Sequence, residues 1–345
     1  MTSRISRRTF ITASIATLAA PALPRMARAA DEPLLLRCSL DTAPSHLRNV
    51  SLKDYLGKVE AAAGGKIRTK LYESGQLFPD LQVGKALIQG QVEMACPGSW
   101  TITGIVPDAD MFQLPVFYGR TVEEVHRVTD GKAGALLDKE MEQKLSSHVL
   151  GSWLDLGFNN WYSAHKLITS LADLKGMKIR NSGGAGQAWR ARFVGAIPNT
   201  TAWPQVPLSL SQGVFDALAS TNESLASAQL WDAGVKYALE DHSFFGMYVP
   251  MVSATFWQKL TPALQKMMID IWAQNIPTYR ATMAAAQSKA RITLESHNIK
   301  FSDPTPEQTV SARQSMMKEQ DKVAKELKIS PEMVTLVMTA IGASG

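Results

Sequence analysis

The sequence predicts an α/β protein of two domains with a long helix near the C-terminus that lies across both. Three observations lead there. Strand-like and helix-like segments alternate from Leu34 to Cys96, the layout of a doubly wound parallel sheet. A second alternation opens near Trp153. From Thr261 onward the chain reads as nearly all helix, and the stretch Pro262–Asn298 is long for one globular unit. With 345 residues, 45% of them hydrophobic, the chain has material for two cores.

Leu34–Leu40 reads as the first strand. Leu52–Ala63 has helical apolar spacing in Leu52, Tyr55, Leu56 and Val59, and stops at Gly64-Gly65. Lys66–Tyr72 alternates as a strand, Asp80–Gln89 is helical, and Val92–Cys96 is a third strand. Ligands of such a sheet sit at its C-terminal strand ends, here Asp41–His46, Ser74–Asp80 and Gly98–Trp100. In the second unit Trp161–Ser163, Met177–Arg180 and Val214–Ala219 read as strands and Ala185–Val194 as a helix. Another helix, Asn222–Trp231, starts with Thr221 or Asn222 as cap. The apolar run Ser243–Ala254 is expected to return to the first sheet. Pro262–Asn298 is interrupted only by Pro277, and Pro306–Leu327 and Pro331–Ile341 complete the tail. Residues 31–155, with the return strand near 243–256, form the expected first domain, 156–242 the second, and 261–345 the C-terminal helices.

Residues 1–30 are expected to be an export signal. Arg7-Arg8 precedes a modest apolar run from Phe10 to Leu23, and Ala27-Arg28-Ala29-Ala30 offers small residues for cleavage. The run is too short for a membrane span and is broken by Pro21 and Pro24. Five arginines and no acid lie in this segment. Of the chain's 36 basic residues 31 therefore remain, against 31 acidic ones. A mature chain of zero formal charge, without a basic patch, gives no reason to expect nucleic acid. Direct membrane insertion is not expected, and a monomer is. Cys38 and Cys96 sit in two strand-like segments and read equally well as a disulfide or as two buried thiols.

Catalytic and cofactor signals are missing. There is no His-Glu-x-x-His, Cys-x-x-Cys or Gly-x-Ser-x-Gly, and the six histidines have no metal-ligand spacing. No cofactor, metal or enzymatic activity is expected. Arg180 draws attention instead. It ends a short strand and is followed by Asn181-Ser182-Gly183-Gly184-Ala185-Gly186 at a helix start. A guanidinium holds a carboxylate through two parallel hydrogen bonds, and a helix N-terminus beside it favours an anion. The plain alternative is a surface cation. The glycine-rich turn is either a flexible strand–helix joint or a set of amides facing an anion.

The segment Asp173-Leu174-Lys175-Gly176-Met177-Lys178-Ile179-Arg180 resembles the central signature of the substrate-binding proteins of tripartite ATP-independent periplasmic (TRAP) transporters, the DctP-like family. Further similar segments follow in the family's order: Gly64-Gly65-Lys66-Ile67, Ser74-Gly75-Gln76-Leu77, Leu114-Pro115-Val116-Phe117, and Trp203-Pro204-Gln205-Val206-Pro207 with Gly213-Val214-Phe215-Asp216. The resemblance covers essentially the whole mature chain. It implies a periplasmic binding protein fold with a hinge between domains that close on one organic anion, and a permease partner in the membrane. By resemblance Arg180 pairs with the ligand carboxylate, Trp203 walls the ligand, Ser220 makes a polar contact, and Gly98, Ser99 and Trp100 form a ligand-facing loop. Asn222 and His46 complete the expected site. Where many members carry a second arginine, this chain has Asn159, which argues against a dicarboxylate or sialic acid. A monocarboxylate with an apolar body, aromatic ones included, fits better. Two other classes stay open: a receptor for another transporter or a sensor, and an exported oxidoreductase.

Overall fold

The computed structural model describes residues 32–342. The expected export signal lies outside them. Strand β1 (Leu34–Ser39) is followed by α1 (Leu47–Ala62), β2 (Ile67–Tyr72), α2 (Asp80–Ile88) and β3 (Met94–Ala95). Short 3-10 turns then lead to α3 (Val122–Thr129), α4 (Lys132–Leu145) and β4 (Ser147–Val149). Next come β5 (Leu154–Ser163), β6 (Lys178–Asn181), α5 (Ala185–Phe193), β7 (Ile197–Thr200), α6 (Val206–Ser211), β8 (Ala217–Ser220), α7 (Asn222–Ser227) and β9 (Tyr237–Tyr248). The chain ends with β10 (Met251–Ser253), α8 (Ala254–Trp257), α9 (Pro262–Ser296), β11 (Lys300–Ser302), α10 (Pro306–Met317), α11 (Gln320–Glu326) and α12 (Pro331–Ile341).

Two sheets organise these elements into two lobes. The first has the order β2-β1-β3-β10-β4, the second β11-β9-β5-β8-β6-β7. β1 pairs in parallel with β2 and β3, and β10 runs antiparallel between β3 and β4. Alternate side chains fill a core on each face. Leu36, Cys38, Met94 and Val252 enter one core of the first lobe, and Ala95, Val149 and Met251 the other. In the second lobe Tyr162, Leu218 and Ala238 face one core while Trp161, Ala217 and Leu239 face the other.

The expected return strand needs correction. Residues from Ser243 to Tyr248 belong to β9 in the second sheet, and only Met251–Ser253 pairs in the first. Pro250, which has no N–H for a ladder, separates the two strands. β5 and β9 pair from Leu154↔Tyr248 to Ser163↔Tyr237, with register shifts between Asp155 and Gly157 and between Asn159 and Trp161. Such bulges bend a strand pair where it passes from one lobe to the other.

α9 continues through Pro277 as one helix of 35 residues. Its buried face, Leu264, Met268, Trp272, Ile276, Tyr279 and Met283, follows a helical repeat. Trp272 packs in a first-lobe core and Leu294 in a second-lobe core, so this helix spans both. α11 and α12 fold back on the first lobe through Val323, Met333 and Val337. Cys38 and Cys96 are buried free thiols, and burial pushes the Cys38 thiol up to about 12. Among the described residues no helix is long and apolar enough to cross a membrane.

Candidate functional site

Strand ends and loops of both lobes enclose a cavity of about 440 Å³ of atom-free space, counting its mouth. Asp41, Thr42, Asp80, Leu81 and Trp100 line it from the first lobe. Asn159, Arg180, Ser182, Trp203, Ser220 and Ser224 line it from the second, with Leu156 and Tyr248 beside the β5–β9 crossing.

Arg180 dominates the electrostatics. It is 1% exposed and forms no ion pair among the described residues. Its Nε–H donates to the Thr201 carbonyl at 2.9 Å, and the guanidinium lies 5.3 Å from the centre of the half-buried Trp203 ring. Burial pulls its pKa down to about 10, while the negative charge of Asp41 acts in the opposite sense. A desolvated cation whose terminal nitrogens make no protein hydrogen bond is ready for an anion. Asn159 is buried with an unpartnered side-chain N–H2, and Ser220 ends β8 in the same cavity. Trp100 packs against Tyr248 with ring centres 5.8 Å apart. The structure thus brings together Arg180, Trp203, Ser220, Asn159 and Trp100.

The remaining expected residues lie elsewhere. Gly98 does not line the cavity; it makes room for Trp100, whose ring would sit 2.2 Å from a Cβ at that position. Ser99 is buried in the 3-10 turn Ser99–Thr101, which brings Trp100 rather than Ser99 to the cavity. Asn222 accepts from the Tyr162 hydroxyl and donates to Glu240, each at 2.7 Å, and faces a different groove. His46 is fully buried as the cap of α1: its Nδ1 accepts the Arg48 N–H. Its Nε2 lies 2.9 Å from Glu223 Oε2 and 3.1 Å from Ser224 Oγ, so it ties α1 to α7 rather than meeting a ligand.

Asp41, Asp80 and Tyr248 line the cavity without being among the expected site residues, and Arg48, outside the lining, joins them. Arg48, fully buried on α1, donates to Asp41 and to Asp80, each at 2.6 Å, and lies 4.2 Å from the Tyr248 ring centre. Burial pushes the Asp80 carboxyl up to about 7, against the pull of Arg48. Asp41 and Asp80 fall inside the strand-end segments the sequence marked. Arg48 and Tyr248 had no such signal, being single residues inside a helix and a strand.

A roomier groove of about 980 Å³ lies beside α9, lined by Phe158, Phe245, Met283 and Arg291 among others. Its arginine is already spent. Arg291 pairs with Glu240, with Asp303 at 2.6 and 2.9 Å, and with Glu295 at 3.0 Å. Size therefore does not choose the site, and the unpaired charge of Arg180 does. Among the described residues no cluster of His, Cys, Asp or Glu is arranged to hold a metal.

Residues 41–327 match the family described as bacterial extracellular solute-binding protein, family 7. The chain is 26% identical over 230 residues to the C4-dicarboxylate-binding periplasmic protein DctP of Rhodobacter capsulatus, covering 66% of this chain and 68% of that protein. It is 22% identical over 312 residues to the sialic acid-binding periplasmic protein SiaP of Vibrio cholerae, covering 90% and 94%. Its fold is similar to that of the sugar acid binding protein of Advenella mimigardefordensis in complex with galactonate, at a TM-score of 0.84 and 19% identity over 91% of this chain and 99% of that one. A TRAP solute-binding protein from Sulfurospirillum deleyianum with bound succinate gives 0.81 at 21% identity, covering 89% and 99%. With its two lobes and domain-spanning helix, the chain belongs to family 7 of the bacterial extracellular solute-binding proteins, the substrate-binding proteins of TRAP transporters.

Proposed function

We propose that this protein is a periplasmic receptor that closes its two domains, residues 31–155 with the return strand β10 and residues 156–242 with the rest of β9, on one organic acid. It then delivers the acid, as a monomer, to a TRAP permease pair in the membrane. It catalyses no reaction, and it reaches the periplasm through the twin-arginine signal of residues 1–30. The observation that carries this reading is Arg180, a buried guanidinium in the cavity with no acid partner among the described residues. Trp203 and Trp100 supply flat apolar walls, and Asn159 supplies a neutral amide.

The ligand is a monocarboxylate with an apolar body, aromatic acids included. Relatives are named for C4-dicarboxylates and sialic acid, and similar structures hold succinate and galactonate. Here the first-lobe side of the cavity presents Asp41 and Asp80, whose cation, Arg48, is already shared between them. A second carboxylate would face these acids without a free cation, at the cost of like-charge repulsion in a dry site. A thermal-shift screen of the mature protein against several hundred organic acids tests the reading, because a ligand of the folded state raises its melting temperature by mass action. Hits among monocarboxylates support it. Hits confined to dicarboxylates, sugars or amines contradict it.

A further inference from the structure

Helix α5 has two masters. As the crossover between the parallel strands β6 and β7 it belongs to the second lobe, where Ala191 is buried with Ile179 and Ala196. Its opposite face is in the first lobe. Trp189 is buried there among Met111, Phe112 and Leu114, and Phe193 packs against the same core. The N-terminus of α5 has no cap from its own chain segment. Instead Asp110 of the first lobe accepts the Gly186 N–H at 3.2 Å. Further along, the Arg190 Nε–H donates to Gln113 Oε1 at 2.8 Å, and its Nη2 reaches the carbonyls of Phe112, Gln113 and Leu114 at 3.2 to 3.4 Å.

The glycines of the turn record how close this docking is. A Cβ on Gly183 would stand 2.8 Å from Leu81, and one on Gly184 3.0 Å from the Trp100 carbonyl. A Cβ on Gly186 would stand 2.5 Å from Gln113 and 2.9 Å from Asp110. The first two glycines also have positive φ, but Gly186 does not. Only contact with the first lobe explains why Gly186 lacks a side chain, because alanine is the better residue inside a helix.

We infer that α5 is an interlobe clasp, and that Asp110 and Arg190 are positioning residues which hold the strand end bearing Arg180 against the first lobe. Opening must separate one face of α5 from its neighbour. The short connections to β6 and β7 keep it on the second lobe, so the contacts with Asp110 and Phe112–Leu114 are the ones that part. The acceptor seated at the start of α5 is thus the Asp110 carboxyl group, and the external acid goes to Arg180. This inference rests on the receptor reading for its purpose, but its test uses no acid, so the two fail separately.

The test is amide hydrogen exchange of the mature protein in plain buffer, comparing wild type with Gly186→Ala. The variant favours the free helix and obstructs docking. Exchange is expected to rise about tenfold in residues 107–114 and 183–193 together, while β2 and β8 keep their wild-type rates. Asp110→Ala, which adds no bulk, is expected to speed the same two segments. Unchanged exchange in 107–114 in both variants, or faster exchange spread over both sheets, overturns the clasp and makes α5 a fixed part of one body.

Discussion

Arg180 is costly to the free protein. Its charge is desolvated, its pKa is pulled down to about 10, and Asp41 offers only through-space compensation. Replacing such a cation by an apolar side chain of similar length removes a desolvation penalty. Arg180→Met is expected to raise the melting temperature of the ligand-free protein, by about 1 kcal/mol of stability, and to abolish the response to every acid. Differential scanning calorimetry with and without acid checks both. Trp203 acts through its face on the guanidinium and on the ligand. Trp203→Ala is expected to weaken aromatic acids about tenfold more than small aliphatic ones, by titration calorimetry; equal losses would remove stacking from the account. Arg180 was legible because a strand end, a glycine turn and a helix start surround it in sequence. Arg48 was not, because its burial depends on Asp41, Asp80 and Tyr248 converging from three other segments. His46 shows the reverse case: a strand-end position suggested ligand contact, and capping of α1 with a tie to α7 claimed the side chain.

Among the elements, β5 and β9 carry the connection between lobes, and Gly157 is their tightest point. It has φ +117°, and a Cβ there would meet the Gln287 side-chain nitrogen of α9 at 2.8 Å. Gln287 also donates to the Leu156 carbonyl and accepts the Glu223 N–H, so it has little freedom to withdraw. Gly157→Ala is expected to cost at least about 1–2 kcal/mol in denaturant unfolding, and a neutral outcome would contradict this packing. Helices with apolar periodicity, such as Leu264 to Met283 of α9, were readable from spacing alone. The length of β5 was not. Only Trp161–Ser163 was assigned, because Gly157 and the run Asn159-Asn160 weaken the strand signal where the bulges fall. Nor was the division between β9 and β10 read, since both are apolar and pairing alone separates them. α3 carries a capping box between Thr121 and Glu124, a Thr-x-x-Glu spacing that marks its start.

For the whole molecule, burial sets the response to pH. Asp110, Asp138 and Asp241 are all pushed up to about 7, chiefly by desolvation. In the unfolded chain such carboxyls ionise near pH 4. Between those limits the folded state holds more protons, so stability falls as pH rises from about 4 to 7 and levels off above. Thermal melts are expected to show a higher midpoint at pH 5 than at pH 8. Asp241 accepts from Tyr118 and Trp161 and lies outside the cavity. Asp241→Asn is expected to flatten part of that slope, and an unchanged profile would show that its burial does not control the titration. The central claim is that one buried arginine makes this two-lobed protein a receptor for a single carboxylate. Titration calorimetry of benzoate, succinate and galactonate into wild type and Arg180→Lys tests it most directly. The account predicts that wild type binds benzoate more tightly than succinate, and that Arg180→Lys, which keeps the charge but loses the fork, binds at least about a hundredfold more weakly while staying folded. A folded Arg180→Lys protein that keeps wild-type affinity, or a wild type that prefers succinate, would contradict it.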